Sequence, residues 1–178
     1  EFACILNGLG VRVTQLVRGK QLLRGFDREL SAALQEGMQQ KGIELCFGQS
    51  LLAIEGSSGD LIARTNSDKR LQCGGVLFAT GRRPFLRDLN LEVAGVDFVD
   101  HRIVIDVDQS TNVPHIFAVG DVTDRVTLTP VAIDEGRAFA DRIYGNKSRN
   151  VNYDLIPSAV FSQPEVATVG YTEDQAIG

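Results

Sequence analysis

The chain has 178 residues, 43% of them apolar and 23% charged, with a formal net charge of -5 at pH 7. That is ordinary globular composition, with length for one large core or two small ones. The acidic balance, with no basic run of about five residues or more, argues against a nucleic-acid partner, and no stretch of about 18 apolar residues marks a membrane span. The cysteines Cys4, Cys46 and Cys73 lie far apart, form no metal or redox spacing, and read as buried thiols of a reducing compartment.

The opening EFACILNGLG reads as a helix. Phe2, Ile5, Leu6 and Leu9 recur at helical spacing, and Gly8 and Gly10 suit its end. At the other end, in TVGYTEDQAIG, Thr172 is an N-cap with Gln175 three residues on, a capping box for a helix that stops at once. A helix without its preceding strand and a helix barely begun together lead us to expect a piece of a longer protein.

Val11 to Val17 alternates as a strand, and its β-branched content fits the pleat. Arg18 follows it, with Arg24 six residues further on. In a dinucleotide-binding βαβ unit, the end of the second strand lies beside the adenosine ribose. An acid there accepts from the 2′-hydroxyl of NAD, whereas a guanidinium suits the 2′-phosphate of NADP. Two arginines in one short loop can fork onto that phosphate. Taken alone, they read equally well as solvated surface charges. Asp27 is placed to cap a helix from Arg28 to about Lys41, with Leu30, Leu34 and Met38 on one face and Gly42 closing it. Ile43 to Phe47 is the next strand. Strand, arginine loop, helix and strand follow one another as a doubly wound sheet requires.

From Ser50 to Cys73 the runs LLAIEG, LIARTN and RLQC, separated by SSGD and SDK, predict a small antiparallel meander. Gly75 to Phe78 reads as a buried parallel strand running into ATGRRP. Gly81 there lets a backbone approach a ligand closely, or simply makes a turn before Pro84. Pro84 to Asp97 reads as a loop-rich linker. Ile103 to Val107 and Ile116 to Val119 are expected strands, the second ending at Gly120 and Asp121, where α/β folds place ligands. An aspartate there can bind a sugar hydroxyl. Thr129 is expected to cap a helix with Pro130 at its first position, running to about Tyr144 with Gly145 as its stop. The start of that helix offers free N–H groups to an electron-rich ligand edge.

Five stretches in this order, EFACILNGLG, VRGKQLLRGFD, FATGRRP, FAVGDVTDRVTLTPVA and IPSAVFSQP, resemble the glutathione reductases of the plant and cyanobacterial type, within the pyridine nucleotide–disulfide oxidoreductases. The resemblance covers essentially the whole chain. It implies an α/β fold: a partial doubly wound NADPH-binding domain with a β meander (1–84), a return segment of the FAD-binding domain (85–150), and the start of an α+β interface domain (151–178). It also implies FAD and NADP as cofactors, oxidised glutathione as substrate and a homodimer in the cytoplasm or the chloroplast stroma. Residue by residue, Arg18 and Arg24 match the pair on the 2′-phosphate, and Glu1 matches the glutamate beside the nicotinamide. Gly81 matches a backbone contact to NADPH, Asp121 the flavin ribitol contact and Thr129 the helix start near the flavin ring. Thr127 matches a neighbour of the nicotinamide, and Val160 a wall of its site. Arg137 matches the arginine on a glutathione carboxylate, although on spacing alone it reads as a helix-surface ion pair with Asp134 or Asp141.

The departures matter equally. The C-x₄-C redox pair, the acid–base histidine with its glutamate, and both glycine-rich dinucleotide turns do not occur in this sequence. No catalytic residue is therefore expected here, and the 178 residues by themselves are expected to be inactive. His101 and His115 match no family position. Mercuric reductase and dihydrolipoamide dehydrogenase types remain alternatives, as does an inactive nucleotide-binding module. Arg18 argues against the NAD-linked dehydrogenase, and the GD-to-helix segment against a module with no flavin site.

Overall fold

Two parallel strands must be joined by a crossover that covers one face of the pair. In the computed structural model, which describes residues 1–178, β1 (Thr14–Val17) pairs in parallel with β2 (Glu44–Phe47), Thr14 opposite Glu44 and Val17 opposite Phe47. The crossover is α2 (Arg28–Gln40), which buries Ser31, Leu34 and Met38, spaced three and four residues apart. Leu34 and Met38 join Cys4, Leu22, Ile43 and Val166 in one hydrophobic core. Cys4 is the one buried residue of α1 (Phe2–Gly8), whose Phe2 and Ile5 remain exposed.

The expected meander is present. β3 (Leu51–Ser57), β4 (Asp60–Thr65) and β5 (Arg70–Cys73) form an antiparallel sheet in that order. Residues 1–78 form one compact unit with residues 154–178. The latter contribute the antiparallel pair β8 (Ser158–Val160) and β9 (Val166–Thr168), then α5 (Glu173–Ile177). Thr172 and Gln175 make the predicted capping box on α5.

Residues 79–153 form a second compact unit. It holds α3 (Leu91–Ala94), the short pair β6 (Phe98–Val99) and β7 (Arg102–Ile103), a 3-10 turn at Gly120–Thr123 and α4 (Thr129–Ile143). Its core gathers Leu91, Val96, Ile103 and Ala118. The predicted stop of α4 is found: the Gly145 N–H donates to the carbonyls of Ala140 and Asp141.

Several expectations fail locally. Gly75–Phe78 forms no strand, and Leu77 and Phe78 are 58% and 62% exposed. Its apolar run asks for flanking strands, but β1 and β2 pair only with each other. The segment 84–97 is loop-rich as expected, apart from the four residues of α3, where Leu91 is buried. The strand expected at 103–107 shrinks to Arg102–Ile103, and that at 116–119 to a single bridge between Ser110 and Phe117. Cys4 and Cys46 are buried as expected, whereas Cys73 is half-buried. Asp27 occupies the cap position of α2 without bonding it, and its carboxylate instead accepts from the Glu173 N–H at 2.7 Å, capping α5. Leu128, not Thr129, holds the cap position of α4, so Thr129 and Pro130 are its first two residues.

Candidate functional site

The first group of candidate residues lies in the unit of β1 and α2. Arg18 and Arg24 sit on the loop between those elements, exposed and without ion-pair partners. That loop is held at its middle and base. Leu22 is 7% exposed, and its carbonyl accepts from the buried Ser31 hydroxyl of α2 at 2.6 Å. The Gly48 N–H donates to the Gly19 carbonyl at 3.1 Å, and the Phe26 N–H to that of Leu23 at 3.2 Å. Gly25 has φ +89°, a conformation that glycine adopts without strain. The loop therefore presents two free guanidinium groups from a fixed backbone, which suits a phosphate dianion. The residues that hold it, Leu22 and Ser31, were not singled out by sequence reasoning. The available signal was the apolar pair Leu22 and Leu23 inside an otherwise polar loop between the two arginines.

Glu1 holds the cap position before α1, and its Oε1 accepts from the Phe161 N–H at 2.8 Å. That bond brings Glu1 to the residue following Val160, which itself packs against the core of this unit. The bond itself is to Phe161, so Glu1 is held next to the neighbour of the candidate Val160.

The second group lies within residues 79–153. Asp121 and Thr127 line a cavity of about 220 Å³ together with Arg82, Arg83 and Asp124. Gly81, next to that wall, has φ +107°. Asp121 is exposed on the 3-10 turn. The turn itself is anchored from beneath: the Gly120 N–H donates to Glu135 Oε2 at 2.5 Å, and the Thr123 hydroxyl to the Gly120 carbonyl at 2.9 Å. Gly120 has φ +73°, which favours glycine, and a Cβ there would crowd the Ala132 Cβ at 3.1 Å. An exposed carboxylate on an anchored turn, followed by a helix whose first residues are exposed, fits a polyol and an electron-rich ring.

Glu135 is 1% exposed. Its other oxygen, Oε1, accepts from the Tyr153 hydroxyl at 2.6 Å. Tyr153 accepts from Gln109 Nε2 at 3.4 Å and carries the Arg125 guanidinium 4.7 Å over its ring. Burial, then the bond to Glu135, pushes the Tyr153 phenol above its ordinary value. Sequence reasoning missed this buried acid.

Arg137 is exposed on α4. The ion pairs considered for it belong to Arg149, which bridges Asp134 and Asp141, with Lys147 also on Asp141. Arg137 itself makes none. His101 and His115 are exposed turn residues.

The family model for pyridine nucleotide-disulphide oxidoreductases matches residues 1–136. The chain belongs to that family. Among its relatives, a glutathione reductase of Burkholderia cepacia is 46% identical over 99% of this chain and 39% of its own length. A glutathione reductase of Nostoc sp. is 44% identical over 99% of this chain and 41% of its own. A trypanothione reductase of Trypanosoma congolense is 39% identical, covering 99% of this chain and 37% of its own. The chain thus spans about two-fifths of the curated relatives it matches. Among solved structures, a flavoprotein disulfide reductase from Escherichia coli superposes with a TM-score of 0.91 at 26% identity, covering 99% of this chain and 41% of that one. The fold class read from the sequence, mixed α/β with a Rossmann-like βαβ unit, agrees with these neighbours. No helix is long and apolar enough to cross a membrane.

Proposed function

We propose that this chain is the nucleotide-holding part of an NADPH-dependent, FAD-containing glutathione-disulfide reductase that works as a homodimer. The observation that carries the reading is the anchored loop with its two free guanidinium groups, Arg18 and Arg24, at the carboxyl end of a parallel strand. An NAD-linked site would place an acid there to receive the ribose 2′-hydroxyl. Similarity to glutathione reductases over 99% of the chain supports the choice of substrate.

In this reading Arg18 and Arg24 hold the 2′-phosphate. Gly81 offers its backbone to NADPH, Glu1 and Val160 are assigned to the nicotinamide from the first unit, and Thr127 is assigned a contact to it on its own. Asp121 binds a ribitol hydroxyl through its exposed carboxylate, and Thr129 places the start of α4 by the flavin ring. Arg137, free of ion pairs, takes a glutathione carboxylate. A bound flavin supplies hydride acceptance from NADPH and transfer of the electron pair to a disulfide. The sequence contains no C-x₄-C pair, so the redox cysteines of this enzyme lie outside these residues.

The test is NADPH oxidation by the full-length enzyme carrying this chain, with oxidised glutathione, trypanothione disulfide and oxidised thioredoxin offered in parallel. The expected result is the highest kcat/KM with oxidised glutathione, and NADPH strongly preferred to NADH. Preference for another disulfide would overturn the substrate, and preference for NADH would overturn the role of the arginine loop.

A further inference from the structure

A carboxylate that is 1% exposed must have its oxygens satisfied, because an unpaired buried polar group costs stability. Glu135 meets that demand in a directed way. One oxygen takes the Gly120 N–H at 2.5 Å, and the other takes the Tyr153 hydroxyl at 2.6 Å. No lysine or arginine pairs with it. The residue after Gly120 is Asp121, the exposed acid assigned above to the ribitol. Gly120 has φ +73°, and glycine is the residue whose own backbone restrains a turn least. The restraint comes from Glu135 below and from the Thr123 hydroxyl on the Gly120 carbonyl at 2.9 Å.

Glu135 is in turn fixed. It projects from the middle of α4, between the buried Val131 and Ala138. Tyr153, its second partner, is braced by Gln109, whose Oε1 accepts from Arg142 at 2.8 Å and whose backbone carbonyl accepts from the Ala118 N–H at 3.1 Å. Ala118 lies on the segment that enters the turn. The network therefore ties three things together: the approach to the turn, the turn itself and the helix behind it.

We propose that Glu135, braced by Tyr153, is a positioning residue for the flavin: it sets the Gly120–Thr123 turn so that Asp121 faces the ribitol before the cofactor arrives. This rests on the flavin reading of the preceding subsection. Preorganisation of this kind raises affinity by removing the ordering cost at the moment of binding.

The experiment uses the full-length enzyme and reads FAD affinity and backbone hydrogen exchange over residues 118–124, with no dependence on turnover. Glu135→Ala should weaken FAD binding by about tenfold or more, the scale of a lost bond to a charged acceptor, and should speed exchange across the turn. Glu135→Gln can still accept from Gly120 and donate to Tyr153, so it should restore most of the affinity. Tyr153→Phe should lie between. Because Glu135 acts through Asp121, the losses from Glu135→Ala and Asp121→Ala should not add in the double variant. Unchanged FAD affinity in Glu135→Ala, or full additivity with Asp121→Ala, would overturn the positioning role while leaving the flavin reading standing. A wild-type enzyme that binds no FAD would overturn the flavin reading itself, and this inference with it.

Discussion

The carboxylate of Glu1 accepts a hydrogen bond from the backbone N–H of Phe161, 160 positions away, at 2.8 Å. This bond aims the glutamate at the residues following Val160, two elements that sequence proximity could never join. In the full-length enzyme, Glu1→Ala should slow NADPH-dependent flavin reduction by up to about tenfold, the scale of one net hydrogen bond. Glu1→Gln, which keeps an acceptor, should retain most of the rate. Stopped-flow absorbance of the flavin measures both, and three identical rates would remove Glu1 from the nicotinamide site.

Arg18 and Arg24 are exposed and unpaired, so their removal strands no buried partner. Replacing both with glutamine should raise the Michaelis constant for NADPH and leave NADH use nearly unchanged. Charged hydrogen bonds contribute roughly 1.5–3 kcal/mol each, and solvent screening lowers that on an open loop. Steady-state kinetics with both cofactors decides the matter, and equal losses would defeat the assignment.

Arg137 lies eight residues beyond Thr129 on α4, about 12 Å along the axis. That span suits the distance from a flavin ring to the far end of a tripeptide disulfide. Arg137→Ala should raise the Michaelis constant for oxidised glutathione with little effect on that for NADPH. The melting temperature should hold, because Arg149 and not Arg137 carries the ion pairs with Asp134 and Asp141. A Michaelis constant for the disulfide equal to wild type excludes Arg137 from the site.

Gly37 is packed against β8–β9 territory: a Cβ there would lie 2.4 Å from the Pro164 Cδ, a ring atom that cannot rotate away. Alanine ordinarily favours a helix over glycine by about 1 kcal/mol. Here overpacking, worth about 1–3 kcal/mol, opposes that gain. Gly37→Ala should therefore lower the melting temperature, and a rise would show that Pro164 yields.

Asp108 is held below its ordinary value of 3.8, first by the Ser110 hydroxyl, with the Ser110 N–H and the nearby Arg142 adding to it. A depressed carboxyl stabilises the fold above its unfolded value, and that contribution is lost as pH falls through the folded value. Ser110→Ala should thus lower stability at neutral pH, with the difference from wild type shrinking as the solution is acidified below about pH 4. Melting curves over pH 2–7 in steps of about one unit test this. A difference that grows in acid would reverse the sign.

The β1–α2–β2 unit was legible because a parallel crossover writes its period change directly into the sequence. The capping box of Thr172 and Gln175 was legible because its two partners are three residues apart. Gly75–Phe78 misled because an apolar run states a demand for burial without naming the strands that meet it. Asp27 misled for a related reason: its side chain had a local cap available and chose the Glu173 N–H, 146 positions away. Glu135 was invisible in DEGRAFADR, where it reads as one more surface acid. Only the fold reveals that its helical face turns inward, under Gly120.

One unit of this protein is built from both ends of the sequence, residues 1–78 and 154–178, with residues 79–153 inserted between them. Val166, from the late segment, belongs to the same core as Cys4, Leu34 and Met38. During synthesis, then, the inserted unit can complete its own core before the first unit can close. At roughly 5–20 residues per second, the early segment waits several seconds with part of its apolar face uncovered. Residues 1–78 are made before the inserted unit yet belong to a core finished after it, so the segment carrying the arginine loop is exposed to misassociation for longer than the insert.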